Sequence, residues 1–147
     1  MTGLDSYPFT EKPTPRKPIV STLTPYLCVA DARAAIAWYT DAMGAEVTYE
    51  PIVMPDGRIG HVELAVGGAS WMMADEFESA GVAPPDPTRG SSVSLHLTVP
   101  DVDTLAARVV AAGVAMDRGP EDSEPAGRVA TFRDPFGHRW FLNTPAD

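Results

Sequence analysis

The strongest constraint on the fold is that the chain repeats itself. "YLCVAD" (26–31) continues into "ARAAIAWYTDAMG" and "AEV", and "HLTVPD" (96–101) continues into "VDTLAARVVAAG" and "VAM". Asp31 and Asp101 lie 70 positions apart, as do the pairs Gly57-Arg58 and Gly127-Arg128. Gly44 and Gly113 are 69 apart, and so are Trp71 and Trp140. Landmarks holding nearly one offset across both halves mark a duplicated unit.

Each unit has the same grammar. A strand (about 22–30, then 92–100) ends at an Asp suited to accept from the free amides of a helix start. The helix that follows carries a core stripe, Ile36, Tyr39 and Met43 in the first half, Val102, Leu105, Val109 and Ala112 in the second. Gly44 and Gly113 stand where a left-handed C-cap is wanted. Three shorter strands are expected over about 46–53, 58–66 and 69–75, then 114–119, 127–133 and 138–143. Their turns are "PDG", "VGG" and "DPFG". The pattern is βαβββ twice, an α+β fold with the helices on one side of the strands.

Around this repeat, residues 1–20 form an arm with Pro8, Pro13, Pro15 and Pro18, which rules out a helix and favours extended chain. Such an arm reads as a loose tail or as a segment lying on a neighbouring subunit. Residues 21–147 make one domain: a first unit over about 22–76, a Pro-rich linker over about 77–91, and a second unit over about 92–143. At 147 residues there is chain enough for a sizeable core. The net charge of −9 argues against nucleic acid and against anionic membrane surfaces as partners. No apolar run approaches the roughly 18 residues of a membrane span. The single cysteine, Cys28, excludes an internal disulfide and fits a reducing cytoplasm, the expected location.

Strand alternation sorts the faces. Leu23, Leu27 and Val29, with Leu95, Leu97 and Val99, are the apolar sides and must meet the helices. Tyr26, Cys28, His61, Glu63 and His96 fall on the opposite side, a candidate pocket surface. His61 and Glu63, two apart in "GHVELAV" (60–66), place an imidazole beside a carboxylate. Glu63 among apolar walls has the chemistry of a general base, while a partner such as Arg58 would make it structural. His96, mid-strand, is the leading single candidate for ligand contact. Tyr26 offers a hydroxyl, and Trp71 and Phe141 offer aromatic surface, though such residues are more often core. Asp134, Pro135 and Gly137 are read as turn makers, His138 and Arg139 as bordering them, and Cys28 as a small filler.

The stretches "PYLCVADARAAIAWYTDAMGAE" (25–46), "PDGRIGHVELAVGGASWMMAD" (55–75), "VPDVDTLAARVVAAG" (99–113) and "GRVATFRDPFGHRWFL" (127–142) together resemble the vicinal oxygen chelate superfamily. That superfamily includes glyoxalase I, bleomycin resistance proteins and ring-cleaving dioxygenases; "DPFGHRW" is most similar to its PhnB-like, glyoxalase-like branch. The resemblance spans about 22–143 and implies a cupped eight-stranded mixed sheet, usually in a homodimer, around a small-molecule site. Metal-dependent members carry one ligand on each of four strands, and those places fall here at Thr24, Glu63, Ser94 and Phe141. Only Glu63 is a strong donor for a catalytic divalent metal.

The leading expectation is therefore a metal-free small-molecule-binding protein with no cofactor, contacting its ligand through Tyr26, His61, Glu63, Trp71, His96 and Phe141. Sequestration of an antibiotic or a toxic metabolite is the matching role. The alternative is a lyase, isomerase or dioxygenase using Glu63 as base, or a displaced divalent metal held by His61, Glu63 and His96. A third reading has side chains closing the cup, leaving no room for a ligand.

Overall fold

A computed structural model describes residues 18–147. Most of the arm expected over residues 1–20 lies outside them; Pro18, Ile19 and Val20 are exposed and without regular structure. The elements run β1 (Tyr26–Val29), α1 (Ala32–Met43), β2 (Glu46–Val53), β3 (Ile59–Val66), β4 (Ala69–Asp75), β5 (Ser94–Thr98), α2 (Val102–Ala111), β6 (Met116–Ser123), β7 (Gly127–Arg133) and β8 (Arg139–Thr144). The fold is α+β, βαβββ twice. Strand orders β1-β4-β3-β2 and β5-β8-β7-β6 match term for term. In each, the first and last strands of the unit pair parallel and the rest antiparallel. Among the described residues no ladder joins β1 to β5, so the eight strands form two sheets of four.

Local chemistry explains the repeated helices. Asp31 and Asp101 have extended backbone, and their carboxylates accept from Ala34 N at 3.0 Å and Thr104 N at 3.2 Å. A second support comes from the last strand of each unit. The Ala32 amide donates to Asp75 Oδ1 at 2.7 Å, and the Val102 amide donates to Thr144 Oγ1 at 3.0 Å. Asp75 and Thr144 occupy one position of the repeat, so an acid and a hydroxyl do the same task. At its other end α1 closes on Gly44, whose φ of 68° suits a residue without Cβ. Arg108 of α2 donates to the Asp41 carbonyl at 2.7 Å, bringing a cation to the carbonyl end of α1.

Three strand expectations are corrected. β1 begins at Tyr26 rather than 22, and Leu23, expected to face the helices, is 97% exposed. Pairing starts only where the Pro25 carbonyl takes the Met72 amide, because Pro25 itself has no amide to offer. β5 is likewise shorter than expected, with Val93 exposed just before it. β6 runs on to Ser123, through Pro120, because β6 is an edge strand whose register shifts between Arg118 and Glu121, a place where a proline is tolerated.

The inward faces of both sheets and both helices share one core. Tyr39 is its centre, fully buried, with its ring against Trp71, Phe136 and Trp140. The Tyr39 hydroxyl donates to Asp134 Oδ2, which also receives Trp140 Nε1 at 2.9 Å. Asp134 Oδ1 takes the amides of Phe136 at 2.9 Å and His138 at 3.0 Å. Asp134 is thus more than a turn former: a carboxylate only 4% exposed that ties α1 to the β7–β8 turn. Burial and the neighbouring Asp134 charge push the Tyr39 phenol well above its ordinary pKa, so it remains a donor.

Asp134→Ala strands two buried donors and is expected to cost on the order of 3 kcal/mol, against about 1–2 kcal/mol for Tyr39→Phe. Urea unfolding of both variants checks this; a smaller loss for Asp134→Ala than for Tyr39→Phe would show that the carboxylate is not the hub.

Candidate functional site

The outward face of the first sheet carries the chemistry. Register sets Tyr26 beside Met72 and Met72 beside Glu63, so β1, β4 and β3 present them together. On β3, His61 and Glu63 share this face while Val62 and Leu64 are fully buried on the other. His61 Nε2 lies 2.8 Å from Glu63 Oε2, and His61 Nδ1 lies 2.7 Å from the Tyr26 hydroxyl. The same hydroxyl is 3.1 Å from the Gly60 carbonyl. An ionised carboxylate only accepts, so Nε2 carries a proton, and neutral His61 then accepts from Tyr26 at Nδ1. Burial, and then the charge of Glu63, raises the Tyr26 phenol, keeping it protonated near neutral pH.

Tyr49 completes the group, and strand alternation hides it. Val47 pairs with Leu64 on the inward face, but Tyr49 pairs with Glu63 on the outward one. Two steps along β2 match one along β3, so a bulge turns Tyr49 outward. Its ring meets His61 edge-on at 5.6 Å, as Tyr26 does at 5.3 Å. Tyr26 and Tyr49 remain 53% and 51% exposed, an aromatic surface flanking a hydrogen-bonded acid–imidazole pair. No sequence signal short of the bulge itself would have found Tyr49.

Other expected residues go elsewhere. Trp71 is only 3% exposed and packs inward against Tyr39 and Trp140, so it is core and not a ligand contact. Its pairing with Leu64 is the reason. His96 and Phe141 are neighbours, rings 5.4 Å apart, but on the second sheet. The structure does not bring them to Tyr26, His61 and Glu63. Arg58 is not the partner of Glu63: it pairs with Asp56 at 2.7 Å, donates to the Glu76 carbonyl and covers Phe77. His138 is half-buried and donates Nε2–H to the Cys28 carbonyl at 2.8 Å, tying the β7–β8 turn to the free edge of β1. Cys28 is a buried filler, its thiol pushed up to about 11 by burial and by the charges of Glu76 and Asp75.

The donors do not suit a divalent metal. Glu63 and His61 are spent on each other, and Thr24, Ser94 and Phe141 supply no nitrogen or carboxylate. Among the described residues no three His, Cys, Asp or Glu side chains are grouped to hold an ion, so the set His61, Glu63 and His96 is not assembled within the chain. A cleft of about 880 Å³ lies apart from this pair, between the edges of β1 and β5, walled by the linker from Gly81 to Val93 and by His138. Tyr26 borders both. Within the cleft, Asp86 is engaged in local turn bonds to Thr88. The outward face, with its ordered acid–imidazole–phenol chain, is the better candidate for chemistry.

Comparison with known proteins fits this architecture. The model of the Glyoxalase/Bleomycin resistance protein/Dioxygenase superfamily matches residues 19–142. The chain belongs to that superfamily. The uncharacterized protein Rv0887c of Mycobacterium tuberculosis is 36% identical over 126 residues, 84% of this chain and 74% of the relative. TioX from Micromonospora sp. ML1 superposes with a TM-score of 0.65 at 25% identity, covering 86% of this chain and 100% of TioX. TnmS3 from Streptomyces sp. CB03234, an antibiotic binding protein, gives 0.61 at 28% identity, covering 87% and 99%. Superfamily membership accounts for the paired units.

In uniformly ¹⁵N-labelled protein, neutral His61 is expected as the Nε2–H tautomer, read from its imidazole nitrogen shifts. Tyr26→Phe should leave that tautomer in place but move the Nδ1 shift toward an unbonded lone pair. An Nδ1–H tautomer at neutral pH would contradict the assignment.

Proposed function

We propose that this superfamily member is a metal-free small-molecule-binding protein whose ligand lies on the outward face of the first sheet. The observation that carries the reading is the pair of exposed rings, Tyr26 and Tyr49, flanking a hydrogen-bonded His61–Glu63 pair. Exposed aromatic area binds a partly apolar body, and a few fixed polar groups orient it. The likeness to TnmS3, an antibiotic binding protein, supports sequestration of an antibiotic or toxic metabolite as the role. The "DPFGHRW" turn supports a place in the PhnB-like, glyoxalase-like branch.

Exposed Tyr49, Ile52, Val53 and Met54 along the edge strand β2 and its turn support pairing with a second copy, through which His96 and Phe141 of that copy would join the ligand surface. The chain is then a homodimer in solution. Its cysteine, a buried free thiol, supports a cytoplasmic setting. A second reading, a lyase or isomerase with Glu63 as base, draws on the continuous chain from Tyr26 through His61 to Glu63.

A thermal-shift screen of small molecules, run with elemental analysis of protein purified without added metal, tests the proposal. Saturable stabilisation without product and without stoichiometric metal is expected; iron, zinc or nickel near one per chain overturns it. Turnover lost in a folded Glu63→Gln variant would establish the enzyme instead. Light scattering is expected to give twice the 15.7 kDa chain mass.

A further inference from the structure

The Tyr26 phenol has one proton and two acceptors within reach, His61 Nδ1 at 2.7 Å and the Gly60 carbonyl at 3.1 Å. When His61 is neutral, the phenol proton satisfies Nδ1. When His61 is an imidazolium, Nδ1 becomes a donor, Tyr26 oxygen accepts from it, and the phenol proton turns to the Gly60 carbonyl. Nε2–H faces Glu63 in both states. Two protonation states are therefore fully bonded with the same heavy-atom positions; only a hydroxyl rotates.

A ligand oxygen that takes the Tyr26 hydrogen bond treats these states unequally. With neutral His61 it removes the proton from Nδ1 and leaves two lone pairs facing each other. With the imidazolium it displaces only the longer bond to Gly60. One neutralising partner is in place for the charged form: Glu63 on the same strand, at 2.8 Å. The other titratable groups whose rings meet His61 are Tyr26 from β1 and Tyr49 from β2. Arg58, the cation nearest in sequence, is engaged with Asp56.

We infer that the site takes ligands bearing an oxygen acceptor, a carbonyl or an oxyanion, and that binding draws one proton onto His61. This rests on the ligand face proposed above and names what that face recognises. The bound state holds one proton more than the free state, so affinity is highest at low pH and falls as pH rises.

The probe is acetophenone, an aromatic ketone that accepts hydrogen bonds and does not itself titrate. Its Kd is read from resonance shifts of Tyr26, Tyr49 and Glu63 in the full chain. The expected result is a Kd at least about threefold weaker at about pH 8 than at about pH 6. Imidazole nitrogen shifts should show His61 gaining an Nδ1 proton on saturation. In Tyr26→Phe, which keeps the ring, the Kd should lose its pH dependence. Shifts at these residues with a pH-independent Kd overturn the proton linkage while leaving the ligand face standing. No shift at them up to the solubility limit overturns the acceptor assignment, and shifts confined to other parts of the chain overturn both.

Discussion

The buried carboxylate of Asp134 is the contact on which the arrangement of the molecule rests. It gathers a phenol from the first unit's helix, an indole from the second unit's last strand and two turn amides, leaving no donor of that group unpaired. Placing a charge in a core is costly, and four donors at once are what make it tolerable. Because Tyr39 reaches it from α1, the inward faces of both sheets are drawn into a single core with Trp71 and Trp140 at 5.2 Å. Their outward faces are left free, and the Tyr26–His61–Glu63 chain lies on one of them.

The two halves reuse one plan with local substitutions, and the substitutions carry the individuality. Asp75 and Thr144 support equivalent helix starts, so a carboxylate and a hydroxyl both serve at that position. The polar face is where the halves diverge: His61 and Glu63 on the first sheet, His96 beside Phe141 on the second. A carboxylate bonded to an imidazole that is bonded to a phenol suits holding a ligand or a proton more than a metal, since each nitrogen already has a partner.

Much of this was legible in the residues. The repeat offset gave both units, the Asp-capped helices and the side of β3 on which His61 and Glu63 lie, because those follow from local periodicity. The alternation that places Leu64 in the core places Trp71 there too, and aromatic character alone does not say which face a residue takes. Alternation cannot say where a strand starts, so it puts Leu23 in β1; the proline before Tyr26 marks the true start. Tyr49 and the Asp134 hub were beyond reach for different reasons. A bulge reverses the face of β2 without a sequence mark, and a contact between residues 95 positions apart depends on how the two halves dock. His96 is the remaining case: alternation gives its face, but the sheet it belongs to stands apart from the His61–Glu63 pair.

The central claim is that ligand binds the outward face of the first sheet rather than the cleft beside the linker. Backbone amide resonances mapped during titration with a hit from a small-molecule screen address it most directly. The account predicts perturbations clustered at Tyr26, Tyr49, Gly60 to Glu63 and Met72. Perturbations confined to Gly81 through Val93 and His138 would contradict it and move the site to the cleft between β1 and β5.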